Sequence, residues 1–381
     1  MHEQGPNASL IGQPQARQAL ATPCLVLELN ALARNLVRTA DTVRASGMVL
    51  RPHAKTHKCA SLARLQMELG SDGIAVATVG EAECFAAAGI EDILITSTFF
   101  QPAKIKRVLD LAAASGQRIS IVVDDPDAVA AIGQATSARR QRLDVLIDVD
   151  LGRHRAGVRD EAQAVALAAD IANFPYLRLT GIQAYAGHLS HVANFSERRD
   201  LCIAAAQFTS RVRQALEAAG HTIGIVTGIS TGSLFIDAAL GVYTEAQCGS
   251  YVGSDVEYDS IDLDGTGQQA FEPALFLRTS VIDRNWPGRV TVDAGYKHFS
   301  AKSTLPRLVP SEALRGARYK PDSDEHGFIE LPPGVAQPPL GTSFECLVPH
   351  CDPTLNLYNQ LHVVDGDRLV DIWLIEARGA F

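Results

Sequence analysis

The chain has 381 residues, more than one compact core usually holds, so a large domain plus a smaller one is expected. Its 46% apolar and 20% charged residues are those of an ordinary globular protein, and a net charge of −9 argues against a nucleic-acid partner. No apolar run reaches the roughly 18 residues of a membrane span, and the first residues have neither the cationic start nor the apolar core of a signal peptide, so a cytoplasmic protein is expected. Seven scattered cysteines without a CxxC pair read as reduced thiols rather than a disulfide frame.

Taken in order, residues 1–21 show no period and are expected to be mobile. Asn30 is read as the cap of a helix over 31–44. From about residue 45 to 255, strands are expected at 48–51, 73–77, 92–97, 119–124, 143–150, 179–185, 224–229 and 244–250. Helices are expected between them at 60–69, 81–88, 102–114, 127–132, 160–171 and 197–219, with Gly70, Gly89 and Gly220 as stops. Eight strands alternating with helices is the pattern of a (β/α)8 barrel. A doubly wound open sheet is the alternative, weakened because no strand is followed by GxGxxG. After Asp259, Pro, Gly and β-branched residues dominate, with strands expected at 275–281, 289–293, 328–331, 343–348, 360–364 and 369–375. That texture suggests an antiparallel β domain over 261–381 following a barrel over 22–260, with 22–29 a candidate strand of the second domain.

In such a barrel the chemistry sits at the C-terminal ends of the strands. The first strand runs into Arg51-Pro52-His53-Ala54-Lys55-Thr56-His57-Lys58, which would deliver a lysine to the mouth, with Arg51, His53, His57 and Lys58 as cations able to lower its pKa. A solvated basic rim is the other reading. The second strand delivers Thr78 and Glu81, the third Thr96–Thr98 and the fifth Arg153 to Arg155. The sixth ends in Tyr185, His188 and His191. Arg155 suits either a cofactor ring contact or a salt bridge to Asp148 or Asp150, and Tyr185 either a ring contact or a core tyrosine. The last two strands run into Gly228-Ile229-Ser230-Thr231-Gly232 and Gly249-Ser250, small and hydroxylated residues suited to a phosphate nest. A phosphate site opposite a lysine suggests pyridoxal phosphate held as a Schiff base. In the β domain, His350 and Asp352 would share a face of an extended segment and make a half-shell for a divalent cation, with Mn2+ and Mg2+ as suitable as Zn2+.

These motifs, in this order and from Thr22 to Gly379, resemble the D-threonine aldolases, fold-type III pyridoxal-phosphate enzymes with an alanine-racemase-like barrel and a β domain. The resemblance implies Lys55 as the Schiff-base lysine, and Arg155 and Tyr185 on the cofactor. It implies Gly228, Thr231, Gly232, Gly249 and Ser250 in the phosphate loops, His350 and Asp352 as metal ligands, and His191 as the base. His188 and His326 are left without a role. The resemblance further implies a homodimer that cleaves a D-3-hydroxy amino acid to glycine and an aldehyde, with Mn2+ or Mg2+ favoured. Ala77-Thr78 looks more like the D-serine dehydratase branch, so a D-3-hydroxy amino acid dehydratase stays open, as does a non-catalytic pyridoxal-phosphate carrier.

Overall fold

A computed structural model describes residues 5–114, 116–300 and 304–381. Strand β1 (Cys24–Glu28) is followed by eight parallel barrel strands. These are β2 (Val49–Leu50), β3 (Ile74–Val76), β4 (Asp92–Ile95), β5 (Arg118–Val123), β6 (Leu143–Val149), β7 (Leu177–Ala184), β8 (Ile225–Gly228) and β9 (Glu245–Ala246). Their order, β2-β9-β8-β7-β6-β5-β4-β3, leaves one seam, closed beyond β2 by a parallel bridge between His53 and Ala75. There Ala54 N–H donates to Ala75 O at 2.8 Å and Ala75 N–H to Pro52 O at 3.0 Å. The seam therefore fixes the backbone immediately before Lys55.

Side-chain alternation explains how the barrel is filled. Leu94, Val122 and Leu146 pack together with Ile225 on one face, while their neighbours Ile93, Ile95, Ile121, Val123, Val145 and Ile147 join the larger core with the surrounding helices. Two residues further along the same face come Thr96, Asp124 and Asp148, beside Gln183. The interior thus switches from apolar to polar one step before the strand ends, where a site can sit.

The second sheet orders β13-β14-β11-β10-β1-β16-β17, with β15 pairing β10 and β12. Its strands are β10 (Leu275–Asp283), β11 (Arg289–Val292), β12 (Arg307–Leu308), β13 (Arg318–Pro321), β14 (Gly327–Glu330), β15 (Ser343–Leu347), β16 (Gln360–Asp365) and β17 (Arg368–Leu374). β1 lies between β10 and β16, parallel only to the latter, so the sheet is mainly antiparallel and is threaded by the chain's first strand.

Two local expectations change. Residues 1–4 lie outside the described residues, but 5–20 are fastened to this sheet. Ala16 and Leu20 pack with Val364, Leu369 and Ile372, Asn7 bonds His362 Nε2 at 2.9 Å, and Arg17 pairs with Glu28 and Glu345. Partners so remote in sequence leave no local period to read. Asn30 is not a cap. The helix begins at Leu29 after Glu28, and the Asn30 amide reaches Asp365 instead. Gly70, Gly89 and Gly220 do end helices, each with φ between +87° and +97°.

One buried acid makes the fold sensitive to pH. Burial pushes the Asp237 carboxyl up to about 7, offset in part by the Ser233 hydroxyl. Between the unfolded carboxyl value of 3.8 and about 7, the folded chain keeps a proton that the unfolded chain has lost. Stability from this group therefore falls as pH rises through that window, by up to ~4 kcal/mol. Asp237→Asn should unfold at higher urea than the wild type at pH 8, with the gap shrinking towards pH 4. A constant gap would refute the assignment.

Candidate active site

The basic octet separates residue by residue. Arg51 turns away to Glu245 and Asp92, at 2.8 and 2.7 Å. Lys58 pairs with Glu81, which also accepts from Ala77 N–H, while Thr78 caps the following helix. His57 sits between Gln66 and the Cys59 amide, and burial pushes it down to about 4. His53 Nε2 lies 3.0 Å from the Thr96 hydroxyl, which itself donates to Val76 O, so Nε2 carries the proton. Burial, with Lys55 nearby, holds His53 neutral, and its Nδ1 is buried with no partner among the described residues.

Only His53 and Lys55 of the octet line the cavity, a space of about 1110 Å3 between the barrel mouth and the β domain. Lys55 Nζ meets Asp352 Oδ2 at 2.5 Å. Burial opposes the charge on both, but each holds the other ionised, so Lys55 is raised and Asp352 is held low. The expected lowering of Lys55 by octet cations is therefore overturned. Arg51 and Lys58 are ion-paired, both histidines are neutral, and the dominant neighbour is an anion.

Opposite lie the two loops after β8 and β9. The backbone N–H groups of Thr231, Gly232, Gly249 and Ser250 donate to no acceptor among the described residues, although all four residues are buried. Buried amides are almost always satisfied, so four free ones in two adjoining loops call for an anion. Ser190, Ser230 and Ser233 tie the loops together through hydroxyl bonds of 2.6 and 3.1 Å. Ile229 is held at φ 65°, a region a β-branched residue enters only under strain. The nest fits the phosphate of pyridoxal phosphate, and the lysine opposite fits its aldehyde.

Arg155 and Tyr185 both line the cavity. Neither expected salt bridge of Arg155 is formed. Asp148 is held by Gln183 at 2.9 Å, and Asp150 accepts from the amides of Gly152, Arg153 and His154. His188 and Arg153 also reach the cavity, whereas His326 is exposed on a turn before β14 and does not.

His191 ends a short 3-10 helix, Leu189–His191, after β7. Its Nε2 is 3.8 Å from Glu257 Oε2, and its ring centroid is 6.3 Å from that of His350. Burial lowers its pKa against the opposing pull of Glu257, leaving a neutral imidazole at pH 7. His350 gives Nδ1 to Asp255 at 2.9 Å, and Asp255 also accepts from Cys351 N–H and Tyr258 N–H. A carboxylate fixing one nitrogen while the other is left free is the usual arrangement behind a metal-bound histidine.

The metal candidates need one correction. His350 is extended, with φ −145°, but Cys351–Leu355 is a helix, so the same-face argument for His350 and Asp352 does not apply. Asp352 instead turns to Lys55 and, at 3.3 Å, the Ser250 hydroxyl. Among the described residues no group of three or more His, Cys, Asp or Glu is placed to hold an ion. The donor set fits an open half-shell of one imidazole and one carboxylate, completed by water or substrate.

Sequence reading missed Asp255 and Glu257. Asp255 caps the helix Val256–Asp259, and a Ser-Asp pair ahead of a short helical run was the one available signal.

Residues 27–253 match the family described as alanine racemase, N-terminal domain, and residues 274–364 match a putative serine dehydratase domain. A D-threonine aldolase from an Arthrobacter species is 38% identical over 97% of this chain and 95% of its own length. A 3-hydroxy-D-aspartate aldolase from Paracoccus denitrificans is 36% identical over 94% and 92%. The crystal structure of D-threonine aldolase from Filomicrobium marinum superposes with a TM-score of 0.90 at 34% identity, covering 95% and 97%. The chain belongs to the alanine-racemase-like, fold-type III family of pyridoxal-phosphate enzymes.

Proposed function

We propose that this protein is a divalent-metal-dependent aldolase that cleaves D-3-hydroxy amino acids to glycine and an aldehyde. The observation that carries this reading is His191, a neutral imidazole on the cavity wall 6.3 Å, centroid to centroid, from His350. Pyridoxal phosphate supplies the sink for the electron pair released when the Cα–Cβ bond breaks. A divalent cation held by His350 and Asp352, with Mn2+ or Mg2+ favoured over Zn2+, would supply Lewis-acid polarisation of the 3-hydroxyl.

The chain's own residues do the rest. Lys55 anchors the aldehyde end, and the amides of Thr231, Gly232, Gly249 and Ser250 take the phosphate, with Gly228 in the turn before them. Arg155 and Tyr185 contact the ring. His191 takes the proton of the 3-hydroxyl, and Glu257 beside it stabilises the imidazolium that results. Asp255 orients His350. Homodimerisation and a cytoplasmic setting belong to the same reading and rest on resemblance. No helix among the described residues is long and apolar enough to cross a membrane.

The test is product identity with D-threonine and D-serine, cofactor and Mn2+ present. Aldehyde plus glycine supports the aldolase, 2-oxo acid plus ammonia as sole products indicates a dehydratase, and binding without turnover indicates a carrier. His191→Ala should lower kcat by about 10²- to 10⁴-fold, the usual contribution of a positioned base. Stripping the metal with EDTA should abolish turnover, and added Mn2+ should restore it. Turnover indifferent to EDTA would remove His350 and Asp352 from the mechanism.

A further inference from the structure

The cavity carries more positive charge than the cofactor and its lysine use. Among its lining residues are Lys55, Arg153 and Arg155 against a single carboxylate, Glu257. Lys55 has Asp352, but the guanidinium groups of Arg153 and Arg155 meet no carboxylate among the described residues. Elsewhere the rule is the reverse, as in Arg17, Arg34, Arg51, Arg107, Arg178 and Arg278. Arg155 is assigned to the cofactor ring, which leaves Arg153.

The backbone that presents Arg153 is rigid. Asp150 Oδ1 gathers the N–H groups of Gly152, Arg153 and His154 at 3.1, 3.0 and 3.0 Å, and Gly157 N–H is held by Asp124 at 2.8 Å. His188 stands against this loop, its Nε2 3.9 Å from where a Cβ on Gly152 would lie. Its Nδ1 is buried and has no partner among the described residues. A fixed guanidinium and an unsatisfied imidazole nitrogen thus meet on one wall, with no anion between them.

The position of that wall points to the substituent it serves. His188 directly precedes the 3-10 helix that ends at His191, the residue assigned to the 3-hydroxyl. The other substituent on C3 therefore falls beside His188 and Arg153. We propose that Arg153 and His188 form an anion subsite for a carboxylate on the substrate's side chain, so that the preferred substrates are D-3-hydroxy dicarboxylic amino acids of the 3-hydroxyaspartate type. This rests on the aldolase reading above and adds to it the class of side chain.

The experiment compares kcat/KM for D-3-hydroxyaspartate and D-threonine in the metal-loaded holoenzyme, wild type against Arg153→Gln and His188→Gln. The wild type should favour the diacid. Arg153→Gln should lower the diacid-to-threonine ratio by about 10- to 100-fold, the worth of one charge-assisted hydrogen bond, chiefly through KM. His188→Gln should lower it less, and neither variant should move the thermal unfolding midpoint. An equal loss on both substrates would assign Arg153 to the α-carboxylate and overturn the proposal, as would an unchanged ratio. If the wild type releases no glycine from either substrate, the aldolase reading has failed by itself. The subsite is then decided by binding, followed as a change in the cofactor's visible spectrum. A diacid dissociation constant raised in Arg153→Gln keeps the subsite, and an unchanged one removes it.

Discussion

Lys55→Ala is expected to abolish covalent attachment of the cofactor, with loss of visible absorbance and turnover at background. Of the described residues lining the cavity, Lys55 is the only lysine, and no other group there can condense with an aldehyde. The variant also strips Asp352 of its partner 2.5 Å away. A carboxylate left in a mostly buried position without its cation destabilises the fold, here by about 1–3 kcal/mol. That is below the full value for a buried pair because the Lys55 side chain is 35% exposed to the cavity.

Lys55→Arg separates the two roles. A guanidinium stays charged and can still meet Asp352, but it does not condense with the aldehyde. This variant should lose attachment as completely as Lys55→Ala while recovering most of its urea stability. Borohydride reduction followed by peptide mass analysis checks the attachment site. A cofactor spectrum unchanged in Lys55→Ala would sink the assignment of the whole site.

Gly232→Ala should weaken cofactor retention by at least about tenfold, although one methyl group is all that is added. The reason is space. A Cβ at Gly232 would fall under 3.0 Å from the backbone O, Cα and C of Ser190, none of which is a flexible side-chain end. Ser190 precedes His191 and bonds Ser230 at 2.6 Å, so relief by movement shifts the turn carrying the base and the loop carrying the free amides together. Overpacking of this kind costs about 1–3 kcal/mol in stability. Gly220→Ala is the control. Its φ of +92° makes alanine strained, but nothing lies within 4 Å of the added carbon. It should lower stability by about 1–2 kcal/mol and leave cofactor affinity alone. Equal cofactor affinity in the two variants, by equilibrium dialysis, would show that the Gly232 contact does not matter to the nest.

The alternation of strand and helix was legible because periods of 2.0 and 3.6 are local properties, and every expected barrel strand is present to within a few residues. The two short strands Arg307–Leu308 and Arg318–Pro321 escaped notice, being too brief for a period and pinned by their neighbours. Of the expected site residues, Lys55, Arg155, Tyr185, His191 and His350 line one cavity, while Gly228, Thr231, Gly232, Gly249 and Ser250 lie in the two loops after β8 and β9.

The sequence by itself determined the lysine-bearing octet, the hydroxylated phosphate loops and the two-domain order, since each is written in contiguous residues with a characteristic spacing. What only the tertiary structure decided was which charges neutralise which. Asp352 lies 297 positions from Lys55 and Asp255 lies 95 from His350, yet these contacts decide the ionisation of the lysine and the orientation of the imidazole. The octet's four other basic groups looked like a cationic setting for Lys55. Folding paired two with carboxylates and buried two as neutral imidazoles, because a low-dielectric interior tolerates a charge only beside its opposite.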